Sequence, residues 1–323
     1  MASVRLMRTA TPEDERHVFA ADVRRGLSAP RKSLPCRWFY DAIGSALFEE
    51  ICELPEYPIP RAERAILERH AGDMLRPRPR TLVELGSGNS AKTRLLLDAL
   101  DGQSATYVPI DISESVLAST AGALAADYPR LDIVALSGTY EEGLARLDGH
   151  AIAPRLVLWL GSNVGNFSRP AAAGFLAGVR RNLGPGDGVL MGVDLRKDPR
   201  LLHAAYDDSR GVTARFNLNL LGRINRELGG TFDLDDFAHR ATVHVDEGRV
   251  SMHLVARRAA RVRIAALELD VDFAEGEDIH TEDSYKYSAD EIAALAAAAG
   301  FAIEGEWRDD AGGFSEVLLR CAG

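Results

Sequence analysis

Cysteine is scarce in this chain of 323 residues: Cys36, Cys52 and Cys321 are scattered, and no C-x-x-C pair occurs. Such spacing offers neither a zinc site nor a disulfide framework, so no metal is expected and a reducing cytoplasm suits the chain. A basic excess is missing too. The net charge of −10 and the pI near 5.4 argue against a nucleic-acid partner, whose usual footprint is a basic field. No uninterrupted apolar run is long enough to span a bilayer. The opening residues Met1–Thr9 lack the apolar stretch of a secretory signal. The expectation is a cytoplasmic protein with no membrane partner. No internal repeat and no long low-complexity tract interrupts the chain. What remains is ordinary for a soluble protein, 46% hydrophobic and 27% charged, with length for one large α/β domain and a smaller lobe.

The most informative stretch is 82–90, Leu-Val-Glu-Leu-Gly-Ser-Gly-Asn-Ser, followed by the helical pattern Ala91–Leu97. An apolar strand ends at Glu84-Leu85, turns on Gly86-Ser87-Gly88 and enters a helix. Such a turn lets a ligand approach backbone N–H groups. Ala91 stands where the dinucleotide fingerprint has its third glycine. An acid beside the turn, Glu84, instead suits the methionine ammonium of S-adenosylmethionine (SAM). The alternative is a purely structural βα corner. A second strand, Ala105–Asp111, ends in an acid 25 residues after Gly86. Asp111 is placed to bind ribose hydroxyls, to cap the helix starting near Ser113, or to do both.

Strands and helices alternate from there: strands 81–85, 105–110, 132–136, 155–161 and 188–194, with helices 90–100, 113–126, 140–147 and 169–182 between them. This period predicts a parallel sheet with crossover helices. Upstream, helices are expected at 12–28 and 61–74, a Pro- and aromatic-rich stretch at 30–61, and a break at Pro77 and Pro79. Downstream, 198–227 reads as helical. Residues 240–273 hold four short alternating runs that predict an antiparallel set. A helix at 288–299 carries a capping box, Ser288 with Glu291, and a last strand, 315–320, returns to the sheet.

Polar groups cluster at predicted strand ends and loops. Gly161-Ser162-Asn163-Val164-Gly165-Asn166 follows the fourth strand, where ligands of open α/β sheets bind; Asn166 is a substrate contact or a turn residue. Tyr206 is a site residue or ordinary packing. The polar run His280–Tyr287 reads as a loop, at a site or merely solvated.

Taken in order, Trp38-Phe39-Tyr40-Asp41, Leu54-Pro55-Glu56-Tyr57, Glu84-Leu85-Gly86-Ser87-Gly88, Gly161-Ser162 with Gly165-Asn166, Tyr206-Asp207-Asp208, Gly211–Asn217 and Thr281-Glu282-x-Ser284 resemble the histidine-specific SAM-dependent methyltransferases over nearly the full length. The resemblance implies a Rossmann-like class I methyltransferase domain of α/β class with an inserted α+β substrate-binding lobe. The division is 1–60 as an N-terminal segment packing on that domain, 61–197, the insertion 198–285, and 286–323. It implies SAM as cofactor and Nα-trimethylation of L-histidine to hercynine, the first step of ergothioneine biosynthesis, by a monomer. Glu84, Gly86, Ser87, Gly88, Lys92, Asp111, Thr139 and Tyr140 would hold the cofactor. Tyr57, Gly161, Asn166 and Tyr206 would hold the amino-acid end, Met252 would line the pocket, Glu282 and Ser284 would bind the imidazole, and Tyr40 with Tyr57 would flank the reacting amine. Thr139 stands where the family commonly has an adenine-facing Asp. Asn163 replaces a Thr, Pro58-Ile59-Pro60 replaces a Tyr-Pro-Thr pattern, and Asp283 adds a negative charge beside the imidazole site. Other readings are a methyltransferase for another amino acid or amine, and a non-catalytic SAM- or amine-binding protein.

Overall fold

The structure, a computed structural model, describes residues 3–8, 11–76, 78–147 and 149–321; Pro77, one of the two expected chain breaks, lies outside them. In chain order the strands are β1 (Val4–Arg8), β2 (Lys32–Ser33), β3 (Thr81–Leu85), β4 (Ala105–Asp111), β5 (Leu131–Ser137), β6 (Arg155–Trp159), β7 (Gly188–Asp194), β8 (Phe237–His244), β9 (Arg249–Ala256), β10 (Ala260–Ile264), β11 (Leu269–Phe273), β12 (Asp278–Tyr285), β13 (Phe301–Arg308) and β14 (Phe314–Cys321). The chain forms two compact units. One comprises Met1–Ala10, Ile59–Arg196 and Lys286–Gly323; the other comprises Thr11–Pro58 and Lys197–Tyr285.

The first unit is a doubly wound, Rossmann-like α/β sheet of eight strands in the order β1-β5-β4-β3-β6-β7-β14-β13. β1 and β3 to β7 run parallel, and β14 is antiparallel to both neighbours. Every residue of β3 and β7 is buried, as expected of strands covered on both faces by crossover helices. Strand order reverses at β3, which lies between β4 and β6. That reversal opens a crevice at the carboxyl ends of β3 and β6. The edge strands β1 and β13 carry little apolar periodicity, with most of their residues exposed, and neither was legible in the sequence. Ser288 and Glu291 form the expected capping box. No helix among the described residues is long and apolar enough to cross a membrane.

The second unit holds a four-stranded sheet in the order β2-β12-β9-β8, the ribbon β10–β11, and the helices Pro12–Leu27, Ala42–Cys52, Pro199–Tyr206 and Val212–Leu228. Three expectations change here. Residues 11–58 group with 197–285 in one compact unit and not as a separate N-terminal segment, because Phe19, Trp38 and Phe39 are buried in one apolar cluster with Phe216, Leu220 and Leu254. The helical run 198–227 is two helices. Asp208 ends the first by accepting from Val212 N–H at 3.0 Å and Thr213 N–H at 2.7 Å, which caps the second. The polar run at 280–287 is no loop: most of it lies in β12, paired with β9 along its length and with β2. Its inward residues include the polar Thr281 and Ser284, so it shows no apolar alternation.

A Cβ at Gly44, in the first turn of helix Ala42–Cys52, would lie 1.7 Å from the Phe39 carbonyl oxygen. Gly44→Ala should therefore destabilise the protein by about 1–3 kcal/mol, the range for overpacking, as read by urea unfolding. A change below about 0.5 kcal/mol, the range of neutral surface substitutions, would contradict this close approach.

Candidate active site

In the first unit β3 delivers the chain to a turn of left-handed residues, Gly86 at φ +77°, Gly88 at +48° and Ser90 at +53°. Glycine is required at Gly86 on two counts: its φ, and a Cβ that would meet the Tyr140 hydroxyl at 2.7 Å. Nothing lies within 4 Å of a Cβ built at Gly88, so the turn has an open side. The Ser87 Oγ is buried and has no hydrogen-bond partner among the described residues. Asp111, ending β4, accepts from Gly88 N–H at 3.0 Å on Oδ2 and from Ser113 N–H at 2.9 Å on Oδ1. It thus ties the turn to the start of the next helix. Burial raises its pKa, and the backbone bonds partly offset that rise. Each oxygen keeps a second acceptor site for a ligand hydroxyl.

Glu84 behaves otherwise than expected. Its carboxylate is 2% exposed, and Oε2 accepts from Thr93 Oγ1 at 2.6 Å and from the Tyr107 hydroxyl. Burial raises its pKa to about 7 against the lowering effect of these donors. It braces the following helix where the sequence suggested an ammonium partner. Lys92 places Nζ 2.5 Å from Glu63 Oε2, and Glu63 Oε1 accepts the Gly161 N–H at 2.6 Å. A Cβ at Gly161 would be 3.0 Å from that ammonium. The Lys92 charge therefore stands at the carboxyl end of β6, where the crevice opens. Asn166 ends the short 3-10 turn Asn163–Asn166 that follows. Thr139 caps the helix Tyr140–Leu144 through a capping box with Glu142. These residues fit SAM: an open glycine turn with an unpartnered Ser87 hydroxyl, an acid ending β4, and a cation at the crevice.

In the second unit the aromatic residues form a chain of edge contacts. Tyr40 meets Phe48 at 5.6 Å and Phe216 at 5.8 Å, Phe48 meets Tyr57 at 6.5 Å, and Tyr57 meets Tyr206 at 6.3 Å between ring centroids. Tyr206 then donates its hydroxyl to Ser284 Oγ at 2.7 Å. On β12 the alternation of a strand puts Glu282 and Ser284 on one face. Met252 of β9 is the cross-strand partner of Glu282 and shares that face.

Asp283 takes the other face. It accepts from Arg249 at 2.6 Å and Ser251 Oγ at 2.6 Å, and lies 3.1 Å from His280 Nε2. Burial opposes its ionisation, yet these partners hold its carboxyl well below the usual range. Asp283 is thus an anchored anion on the opposite side of the strand from Glu282 and Ser284, and not beside them as expected. Three residues received no role in the sequence reading: Phe48, Glu63 and Phe216, the last inside the Gly211–Asn217 motif. Phe48 lies on a helix hidden in the Pro-rich stretch, and Glu63 looks like any acid on an amphipathic helix.

The sequence model of a family described as "Histidine-specific methyltransferase, SAM-dependent" matches residues 19–321. The chain is 46% identical over 300 residues to Histidine N-alpha-methyltransferase of Mycolicibacterium smegmatis, covering 92% of this chain and 93% of that protein. It is 45% identical over 310 residues to Histidine N-alpha-methyltransferase of Mycobacterium tuberculosis, covering 95% and 96%. It is also 35% identical over 289 residues to Ergothioneine biosynthesis protein 1 of Neurospora crassa, covering 88% of this chain and 32% of that longer protein.

The raised pKa of Glu84 has a consequence for stability. The folded state binds this proton more tightly than the unfolded chain, whose carboxyl has its ordinary value of 4.5. Stability from this group is therefore full below about 4.5, falls as pH rises to about 7, and stays low above it. Glu84→Gln keeps an acceptor without the charge. Its stability relative to wild type should rise between about pH 5 and 8, followed by thermal unfolding; parallel profiles would contradict the buried acid.

Proposed function

This chain belongs to the histidine-specific, SAM-dependent methyltransferases, and on that premise we propose that it methylates the α-amino group of L-histidine three times, yielding hercynine. The observation that carries the substrate reading is the pairing of Glu282 and Ser284 on one face of β12, with Tyr206 donating to Ser284. A serine hydroxyl that accepts from Tyr206 still carries one O–H donor of its own. Glu282 can only accept while ionised. One donor and one acceptor match the two nitrogens of a neutral imidazole, and Met252 supplies the apolar contact between them. Analogues without ring nitrogens cannot meet this donor and acceptor, which is the costly kind of mismatch.

When bound, SAM supplies an electrophilic methyl group on a cationic sulfonium. Gly86, Ser87, Gly88 and Asp111 would hold its nucleoside and Lys92 its carboxylate, with Tyr140 beside the turn. By the family resemblance, Tyr57 and Tyr206 of the second unit hold the amino-acid end of histidine, and Asn166 of the first unit is a further substrate contact. The chain's contribution is positioning, the main lever for an in-line displacement. The attacking amine must be unprotonated. The α-amino group of a free amino acid is mostly an ammonium at neutral pH, and a cation nearby lowers its pKa, so fixed acceptors assist its deprotonation. Tyr40, Phe48 and Tyr57 give the amine an aromatic surround whose faces tolerate the growing ammonium.

Purified protein incubated with SAM and L-histidine should yield the trimethylated betaine by mass spectrometry. Turnover of another amine with none of histidine would leave only the reaction class standing. Glu282→Ala should cut kcat/KM for histidine by about 10- to 100-fold, the loss of a hydrogen bond to a charged group. Tryptophan should lose less or gain, because the site opens for a bulkier ring. An equal fall for both substrates would make Glu282 a support of β12 and not a reader of the ring.

A further inference from the structure

We propose that Glu63 and Glu316 are positioning residues for the cofactor: the two buried carboxyls hold one proton between them, and the negative charge that remains keeps Lys92 cationic and fixed over Gly161. The inference rests on the reading that Lys92 meets the carboxylate of the cofactor's methionine end. Glu63, from helix Ile59–Met74, and Glu316, from β14, are both 0% exposed. They gather above Gly192 of β7, where a Cβ would come within 2.5 Å of Glu63 Oε1 and 3.1 Å of Glu316 Oε1. The missing side chain is what makes room for two carboxyls. Glu63 already spends one oxygen on Lys92 and the other on the Gly161 N–H. Glu316 faces it, with no cation of its own among the described residues.

Among the described residues, the charges that act on one another here include Glu63, Glu316, Glu84 and the cation Lys92. Three ionised acids, all buried, around one half-buried ammonium would be strongly unfavourable, so protons remain on the acids that can hold them. Burial, and then the Glu63 charge, push the Glu316 carboxyl far above its ordinary range. Burial alone would pull the Lys92 ammonium down, and the Glu63 carboxylate more than reverses it. The cluster thus resolves into one ion pair and a neutral Glu316 that donates to Glu63. A buried ion pair adds little stability over a packed apolar pair. Its effect here is to set the place and charge of one ammonium at the carboxyl end of β6.

The test uses the full chain with 15N-labelled lysine, of which it has four: Lys32, Lys92, Lys197 and Lys286. The Lys92 Nζ resonance reports its protonation. Calorimetry compares S-adenosylhomocysteine with methylthioadenosine, which has the same nucleoside and no amino-acid end. Glu63→Gln should lower the pH at which Lys92 loses its charge. It should weaken S-adenosylhomocysteine about tenfold, as for one charged hydrogen bond, and leave methylthioadenosine within about twofold. Glu316→Leu should weaken S-adenosylhomocysteine selectively, and Glu316→Gln, whose amide donates as a protonated carboxyl does, should recover most of that loss. Binding of methylthioadenosine shows that each variant is folded. If Lys92→Met selectively weakens S-adenosylhomocysteine while Glu63→Gln leaves the Lys92 titration and the ligand ratio at wild-type values, the positioning inference is overturned and the reading of Lys92 stands. If Lys92→Met itself leaves the ligand ratio unchanged, that reading fails and the inference with it.

Discussion

A carboxylate taken out of water needs a donor or a cation beside it, and that requirement organises the carboxyl ends of the strands in the first unit. Glu84 is met by Thr93 and Tyr107, and Asp111 by two backbone N–H groups. Asp194, ending β7, is met by the fully buried Lys286 at 2.8 Å, and Glu63 by Lys92 and Gly161. Each partnership fixes a turn or a helix start in one place. The glycine turn after β3 is held from one side by Asp111, and the helix after it by Glu84. The ligand-facing geometry is therefore a by-product of neutralising acids that the sheet has buried. The same rule operates in the second unit, where Asp208 takes three backbone N–H groups at the start of Val212–Leu228.

Strand geometry supplies the second constraint. Successive residues of β12 face opposite ways, so three neighbouring polar residues do different work. Glu282 and Ser284 share a face with Met252 and lead to Tyr206 and the aromatic chain. Asp283 is turned away and locked to Arg249 and Ser251. A slip of one residue would exchange these roles entirely. The register is held by pairing with β9 along the strand and by Thr281, whose hydroxyl donates to the Met252 carbonyl at 3.0 Å at the irregularity between His280 and Glu282.

Legibility in the sequence followed burial. β3 to β7 are apolar runs between glycine and capping signals, and their order and crossover helices could be read directly. The capping box at Ser288 was equally plain. β1 and β13 are exposed edges without such a run, and β12 buries hydroxyls where a strand normally shows aliphatics, so propensity pointed to a loop. The fold of residues 11–58 with 197–285 is a long-range packing choice that no local pattern carries. Among the site residues, the turn at Gly86 and the acid Asp111 came from spacing. Tyr40, Tyr57, Tyr206, Glu282 and Ser284 came from resemblance to a family, because lone aromatics and acids have no signature of their own. Glu63 and Glu316 left no trace, since an acid on an amphipathic helix or near a strand end reads as solvated until its burial is seen.

The central claim is that β12 reads a neutral imidazole with one acceptor and one donor. Histidine labelled with 15N at both ring nitrogens, bound to the protein together with S-adenosylhomocysteine, tests it by NMR. The account predicts one protonated and one unprotonated ring nitrogen in a single fixed tautomer across neutral pH. Glu282→Ala should return the ring to the averaged shifts of free histidine. Two protonated nitrogens, or averaged shifts in the wild-type complex, would contradict the donor role of Ser284 and the reading built on it.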